Sequence, residues 1–252
     1  MKFTLKTIFN YPINHYPVLA LIMLVSACDI SDNRNTLKGN REYLLENREI
    51  KSFEEIVVKG DFDVLLKEAE IPRIEIEADA NLHNYIYTEV DGKKLIISQP
   101  DNISLKTLRS IKVVIHHQGI DRIEMIGRTE LLTEDILNFD TMEIELIGSS
   151  KAKMELNGKL IKGIFPGSSN IELRGKAEEV NLDFPGAAWL DASDLKVNTF
   201  DLSMEGAGKA DIFVNQYLKV NIAGAALVNY EGNPQKVQSS IGGLGRLNNK
   251  DD

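Results

Sequence analysis

The sequence predicts an all-β chain, organised as a β-solenoid or β-helix-like stack of about six rungs with an irregular β-layer on its N-terminal side. The first observation is a repeat. An apolar residue, a spacer, a glycine and then small residues recur six times, with the glycines at 148, 167, 186, 206, 224 and 243, a step of 18 to 20 residues. A period of this length marks an array whose units bury a core only by stacking on one another. The second observation is alternation within each repeat. Two residues before the glycine stand Leu146, Phe165, Phe184, Met204, Ile222 and Ile241, and four after it stand Ala152, Ile171, Leu190, Ala210, Val228 and Leu247. Polar Lys153, Glu172, Asp191, Asp211 and Asn229 follow in the next position. That is the two-residue period of half-buried strands. The Leu-x-x-Leu-x-Leu signature of a leucine-rich repeat is missing. A second break in each rung is expected at Gly158, Gly175, Ser193, Asn215 and Gly232.

From the start of the chain, residues 1–28 read as a targeting segment. Lys2 and Lys6 precede the apolar run Val18–Val25, which ends in Val25-Ser26-Ala27-Cys28. The ending resembles a bacterial lipobox: small residues fit a signal peptidase, and the thiol of Cys28 accepts a diacylglycerol. The apolar run is far short of the roughly 20 residues that a helical span needs. Cys28 is the only cysteine, so no intramolecular disulfide can form. The expected consequence is attachment to a membrane through lipid on Cys28. Residues 29–48 are polar and lack either periodicity at their start, which reads as a flexible tether.

The formal net charge of −9 and the lack of a basic stripe argue against nucleic acid as a partner. Residues 49–138 form the irregular N-terminal β part. Phe53–Val58 and Phe62–Leu66, joined through Lys59-Gly60, read as a hairpin-like pair. Arg73–Ala78 alternates cleanly, and Asp91-Gly92 turns Tyr85–Val90 back onto Leu95–Ser98. Ile111–His116 and Arg122–Ile126 are further strands, Asn81–Tyr85 is a helical turn, and Pro100–Ser110 is an exposed loop. The repeats occupy residues 139–247 and a polar tail residues 248–252.

With these residues in view, the chain resembles a known family. The lipobox, the Phe-x-x-Ile-x-Val-x-Gly-x-x-x-Val-x-Leu run from Phe53 to Leu66, Asn81-Leu82, the reiterated Gly-Ser/Ala-Ser/Ala corners and Tyr230-Glu231-Gly232-Asn233-Pro234 look like the "putative auto-transporter adhesin, head GIN domain" family. The resemblance covers about Ile50 to Leu247. It implies a right-handed solenoid-like fold in an envelope protein of Gram-negative bacteria. It brings no catalytic residues to carry over.

The chemistry-bearing residues are few. His116 and His117 are adjacent in a strand and point to opposite faces, so they cannot chelate one metal together. Gly242-Gly243 lacks the Lys-Ser/Thr and helix of a phosphate loop. Asp191 and Asp211 lie one rung apart in one column, at about the strand spacing of 5 Å. That separation matches a retaining glycosidase, so a glycan-processing enzyme is the alternative reading. Glu172 and Asn229 extend the same column, as a solvated face would.

The reading is therefore a non-enzyme without cofactor or metal. It is a lipid-anchored, adhesin-like interaction module of the cell envelope, held to the outer membrane on either face, with inner-membrane retention the other address. Its expected partners are an envelope protein, a glycan or a second copy of itself. The docking residues are expected in the outward column three past each corner: Lys151, Asn170, Trp189, Lys209, Leu227 and Arg246. Trp189, Lys209 and Leu227 are the core of that column, because tryptophan is a frequent interface anchor.

Overall fold

The computed structural model describes residues 35–251. In chain order the strands are β1 (Asn35–Lys38), β2 (Tyr43–Glu49), β3 (Glu55–Lys59), β4 (Phe62–Glu68), β5 (Arg73–Asp79), β6 (Tyr87–Asp91), β7 (Lys94–Ser98), β8 (Ile103–Lys106) and β9 (Ile111–His117). The long strands follow: β10 (Arg122–Thr133), β11 (Leu137–Ile164), β12 (Gly167–Phe184), β13 (Ala187–Ala192), β14 (Leu195–Met204), β15 (Ala207–Phe213), β16 (Tyr217–Glu231), β17 (Lys236–Gly243) and β18 (Arg246–Asn249). A single 3-10 turn, His83–Tyr85, interrupts the strands, inside the stretch where a helical turn is expected.

The fold is all-β, with a β-solenoid of about six turns at its centre. Each repeat pairs in parallel with the next and in the register that the glycines predict. Gly127 lies opposite Gly148, and Gly148 opposite Gly167. Strand β12 continues onto β13 and β14, those onto β15 and β16, and β16 onto β17 and β18. Gly167 shows why the corner residue is glycine. Its φ is 119°, and a Cβ there would run into the carbonyl oxygen of Gly148 in the rung before. At Gly167 a side chain is thus excluded twice over, by backbone conformation and by the approach of the neighbouring backbone; at Gly186 and Gly206 the approach alone excludes it. Inward of the corner, Phe165 and Phe184 stack with ring centroids 4.7 Å apart and planes 15° apart, both fully buried.

The second break differs from expectation at one position. Gly175 and Gly232 have φ of 106° and 93°, and their Cβ positions face the carbonyls of Leu156 and Val214. Ser193 and Asn215 fall between strands, as expected. Gly158, however, lies opposite Ala177, inside the continuous β11. It makes room there for the ring of Phe139. A glycine in a β sequence marks either a bend or a close approach, and the sequence does not say which.

The N-terminal strands are the larger correction. β3 and β4 do not form a hairpin. Both pair in parallel with β10, on either side of Gly60, whose carbonyl faces Gly127 just as the later corners face one another. They are the two arms of one further rung. β7 and β9 form another, lying parallel against β3 and β4. The chain thus lays down the β3–β4 rung, travels outward to make the β7–β9 rung, and returns across the first to begin β10. The expected Asp91-Gly92 turn is present, with β6 antiparallel to β7 and Gly92 at φ 58°. Antiparallel strands close this end: β6 against β7, β5 against β9, and β2 against β5. One hydrophobic core runs from Phe53 to Val228.

Three stretches expected to be irregular are ordered. Within the expected tether, β1 and β2 are strands, and β2 is a full partner of β5. Polar sequence hid it because only one edge of β2 is covered. Within the expected loop 100–110, β8 pairs in parallel with β1. In the expected polar tail, Asn248 and Asn249 belong to β18, and the Lys250 amide donates to the Tyr230 carbonyl. The targeting segment and Cys28 lie outside the described residues.

At the far end, no strand among the described residues pairs with the outer edges of β17 and β18. Every residue of β17 is exposed, and Ile241, in the column of Phe184, is 45% exposed.

Candidate functional site

The two flanks of the corner column carry different chemistry. On the flank before the corner, the outward side chains neutralise one another across rungs. Arg122 bridges to Glu143 at 3.0 Å, Lys162 reaches the same Glu143 at 3.4 Å, and Lys219 meets Asp201 at 2.7 Å. Such exposed pairs contribute little to stability, but they leave few charges free to meet a ligand.

The flank after the corner holds the expected column in unbroken register: Lys151 opposite Asn170, Asn170 opposite Trp189, Trp189 opposite Lys209, Lys209 opposite Leu227, and Leu227 opposite Arg246. Trp189, the one tryptophan of the chain, is 54% exposed. The Lys209 ammonium sits 5.5 Å from the centroid of its ring, a cation–π contact. Leu227 is half-buried beyond Lys209. Beside the indole a shallow groove of about 330 Å³ runs over four rungs, lined by Ser149, Lys151, Ser168, Asn170, Trp189 and Ala207 among others. The structure thus brings the expected docking residues together and adds the corner serines, whose short side chains form the groove floor.

Lys209 is held in place from below. Its ammonium pairs with Asp211 two residues on, a carboxylate that is 8% exposed. Burial alone would raise the Asp211 pKa. Hydrogen bonds from Lys209, Asn229 and Lys250 outweigh it and hold the carboxyl below its ordinary value. Asn229 Nδ2 donates to Asp211 at 2.9 Å, Asn248 Nδ2 donates to Asn229 at 3.2 Å, and the Lys250 ammonium lies 3.0 Å from Asp211. The sequence shows Asp211 only as one member of an acidic column. Asn229 reaches it from the next rung and Lys250 from the rung after that, just past β18.

The same bonds bear on the carboxylate pair. A glycosidase acid must keep its proton near neutrality, which requires a raised pKa. Asp211 is shifted the other way. Asp191 is engaged by the Ser193 hydroxyl at 2.7 Å, and Glu172 by Lys153 at 3.2 Å and Arg174 at 2.6 Å. The column is a chain of satisfied pairs.

The histidines are structural. His116 Nε2 lies 2.9 Å from Glu75, and His117 is buried with no hydrogen-bond partner at either ring nitrogen. Burial lowers the His117 pKa to about 4, so the ring is neutral in the fold. Both rings are buried, in a strand flanked along its edges by β4 and β5. Among the described residues, no group of three or more His, Cys, Asp or Glu is placed to hold a metal.

A parallel β-solenoid with a glycine corner column defines a class of repeat proteins in which each rung rests on its neighbours. The sequence model of the "putative auto-transporter adhesin, head GIN domain" family matches residues 52–234, and the chain belongs to that family. Solved structures share the fold. A "putative adhesin" from Bacteroides fragilis NCTC 9343 is 18% identical with a TM-score of 0.81, covering 84% of this chain and 99% of its own. A "putative lipid binding protein" from Parabacteroides distasonis ATCC 8503 is 20% identical with a TM-score of 0.66, covering 85% of this chain and 99% of its own. A "putative adhesin" from Parabacteroides merdae ATCC 43184 is 20% identical with a TM-score of 0.63, with the same coverage. No curated protein matches the chain in sequence.

Proposed function

We propose that this protein is a non-catalytic, adhesin-like module of the cell envelope, anchored through lipid on Cys28 and docking its partner on the flank that carries Trp189. Membership of a family described as adhesin heads supports the class of function. The observation that carries the site is the half-exposed Trp189, fixed by Lys209 and set beside an open groove. A large apolar residue held rigidly on a sheet loses little entropy when it is covered, which favours binding. The neutralised carboxylates of the acidic column favour binding over hydrolysis.

Two experiments test the reading. Metabolic labelling with a fatty-acid analogue should mark the wild type and not Cys28→Ala, since several acyl chains at about 0.8 kcal/mol per buried methylene anchor stably. Equal labelling of both removes the anchor. For docking, the Cys28→Ala chain is screened against purified polysaccharides and host matrix proteins, with Trp189→Ala as control. Binding that the control loses while keeping its fold supports the site. Binding that survives in the control moves the docking surface elsewhere.

A further inference from the structure

We infer that the groove beside Trp189 takes an acidic saccharide, with one sugar ring stacked on the indole and the anionic group of a neighbouring unit bound by Lys151. This deepens the docking reading above and rests on it. The geometry is linear. Lys151, Asn170 and Trp189 occupy one column in three consecutive rungs. At the strand spacing of about 4.8 Å, Lys151 and Trp189 are roughly 10 Å apart along the groove. A disaccharide bridges such a span. Ser149 and Ser168 line the floor between them, and the Asn170 amide stands at the midpoint. Hydroxyls and an amide each offer a donor and an acceptor, the complement of a polyhydroxylated ligand.

The charge assignment comes from what is already paired. Lys153 is engaged by Glu172 and Lys209 by Asp211. Lys151 forms no ion pair among the described residues, although it faces the same groove. Of the lining residues it is the only cation, and the lining holds no carboxylate. Lys209 lies outside the lining, against the indole, so it does not compete for the ligand's charge. A lipid would want a continuous apolar trough, whereas this floor is serine in its first two rungs and turns to alanine only in the next two. A protein partner would want a broader apolar patch, and Leu227 is the one large aliphatic neighbour on the column. Asp211 acts here as a positioning residue: it fixes Lys209, and Lys209 fixes the ring.

The test uses the Cys28→Ala chain and three probes: oligogalacturonate, the same oligomer with its carboxylates reduced to alcohols, and a sulfated oligosaccharide. Trp189 emission reports directly in every chain that keeps this single tryptophan, and titration calorimetry reads binding in Trp189→Ala. Oligogalacturonate or the sulfated probe should change the emission and bind about tenfold tighter than the reduced oligomer, the usual scale of one charge-assisted hydrogen bond. Lys151→Gln should erase that difference and leave the reduced oligomer's weak binding unchanged. Which anionic probe binds tells carboxylate from sulfate.

Equal binding of charged and reduced oligomers, lost in Trp189→Ala, would overturn the acidic assignment and leave the docking surface intact. Binding that Trp189→Ala does not affect would overturn both. Lys209→Gln and Asp211→Asn should each raise the quencher accessibility of Trp189 in the free protein and weaken both oligomers by the same factor. Unchanged accessibility in the two folded variants would remove the positioning role.

Discussion

Phe184 and Ile241 hold the same place in the repeat, two residues before a corner glycine, and the structure treats them oppositely. Phe184 is fully buried between Phe165 and Met204, whereas Ile241 is 45% exposed because no rung among the described residues follows it. The local sequence pattern is the same in both. What differs is the neighbour. In a stack, burial is a property of the interface between rungs and not of the rung itself.

The largest test of that contrast is to truncate the two residues in parallel. Phe184→Ala should cost about 3–5 kcal/mol, as a fully buried phenylalanine does. Hydrogen exchange should then show the central rungs opening first, and uniform protection would contradict nearest-neighbour stacking. Ile241→Ala should cost about 1 kcal/mol or less, because nearly half of its side chain already meets water. Equal losses would show that the last rung is covered in solution.

Acid should strike the opposite, capped end. His117 is held neutral with its pKa lowered from 6.5 to about 4, so between those values the unfolded chain binds a proton that the fold refuses. Its share of stability is full above pH 6.5 and falls as pH drops toward 4, by about 3 kcal/mol at 1.36 kcal/mol per unit. Asp211, with its pKa lowered, adds a loss in the same direction at lower pH. Denaturant melts from pH 7 to 4 measure this, and His117→Leu should flatten the slope. A slope unchanged in that variant would place the acid sensitivity elsewhere.

The smallest pair sets a corner glycine against the glycine that precedes one. Gly167→Ala should cost at least about 1–3 kcal/mol from the disfavoured φ alone, with the overlap on Gly148 added. Gly242→Ala, where the nearest atom to a new Cβ is 3.6 Å away, should stay within about 0.5 kcal/mol. Thermal melts of the two distinguish the crowded corner from the open position beside one.

Much of the candidate site was legible before the fold. The column Lys151, Asn170, Trp189, Lys209, Leu227, Arg246 follows from counting past each glycine, since the strand pleat repeats every two residues. The serine floor of the groove lies in the repeat itself. The clamp on Lys209 was not legible, because Asp211 receives Asn229 from the next rung and Lys250 from the one after, and Lys250 looks like tail. Nor was it legible that Lys151 stays unpaired while Lys153, two residues on, finds Glu172.

By itself the sequence determined the all-β class, the rung length and the corner glycines of the six repeats. Each is read along the chain itself: alternation at period two, and a glycine that recurs every 18 to 20 residues. The tertiary structure alone decided that Gly60 and Gly127 extend the corner column, and that β3 and β4 are arms of a rung and not a hairpin. It alone placed the β7–β9 rung outside them. A strand's sequence fixes which face is apolar but not which strand lies beside it, and parallel partners drawn from distant segments leave no mark on a local pattern.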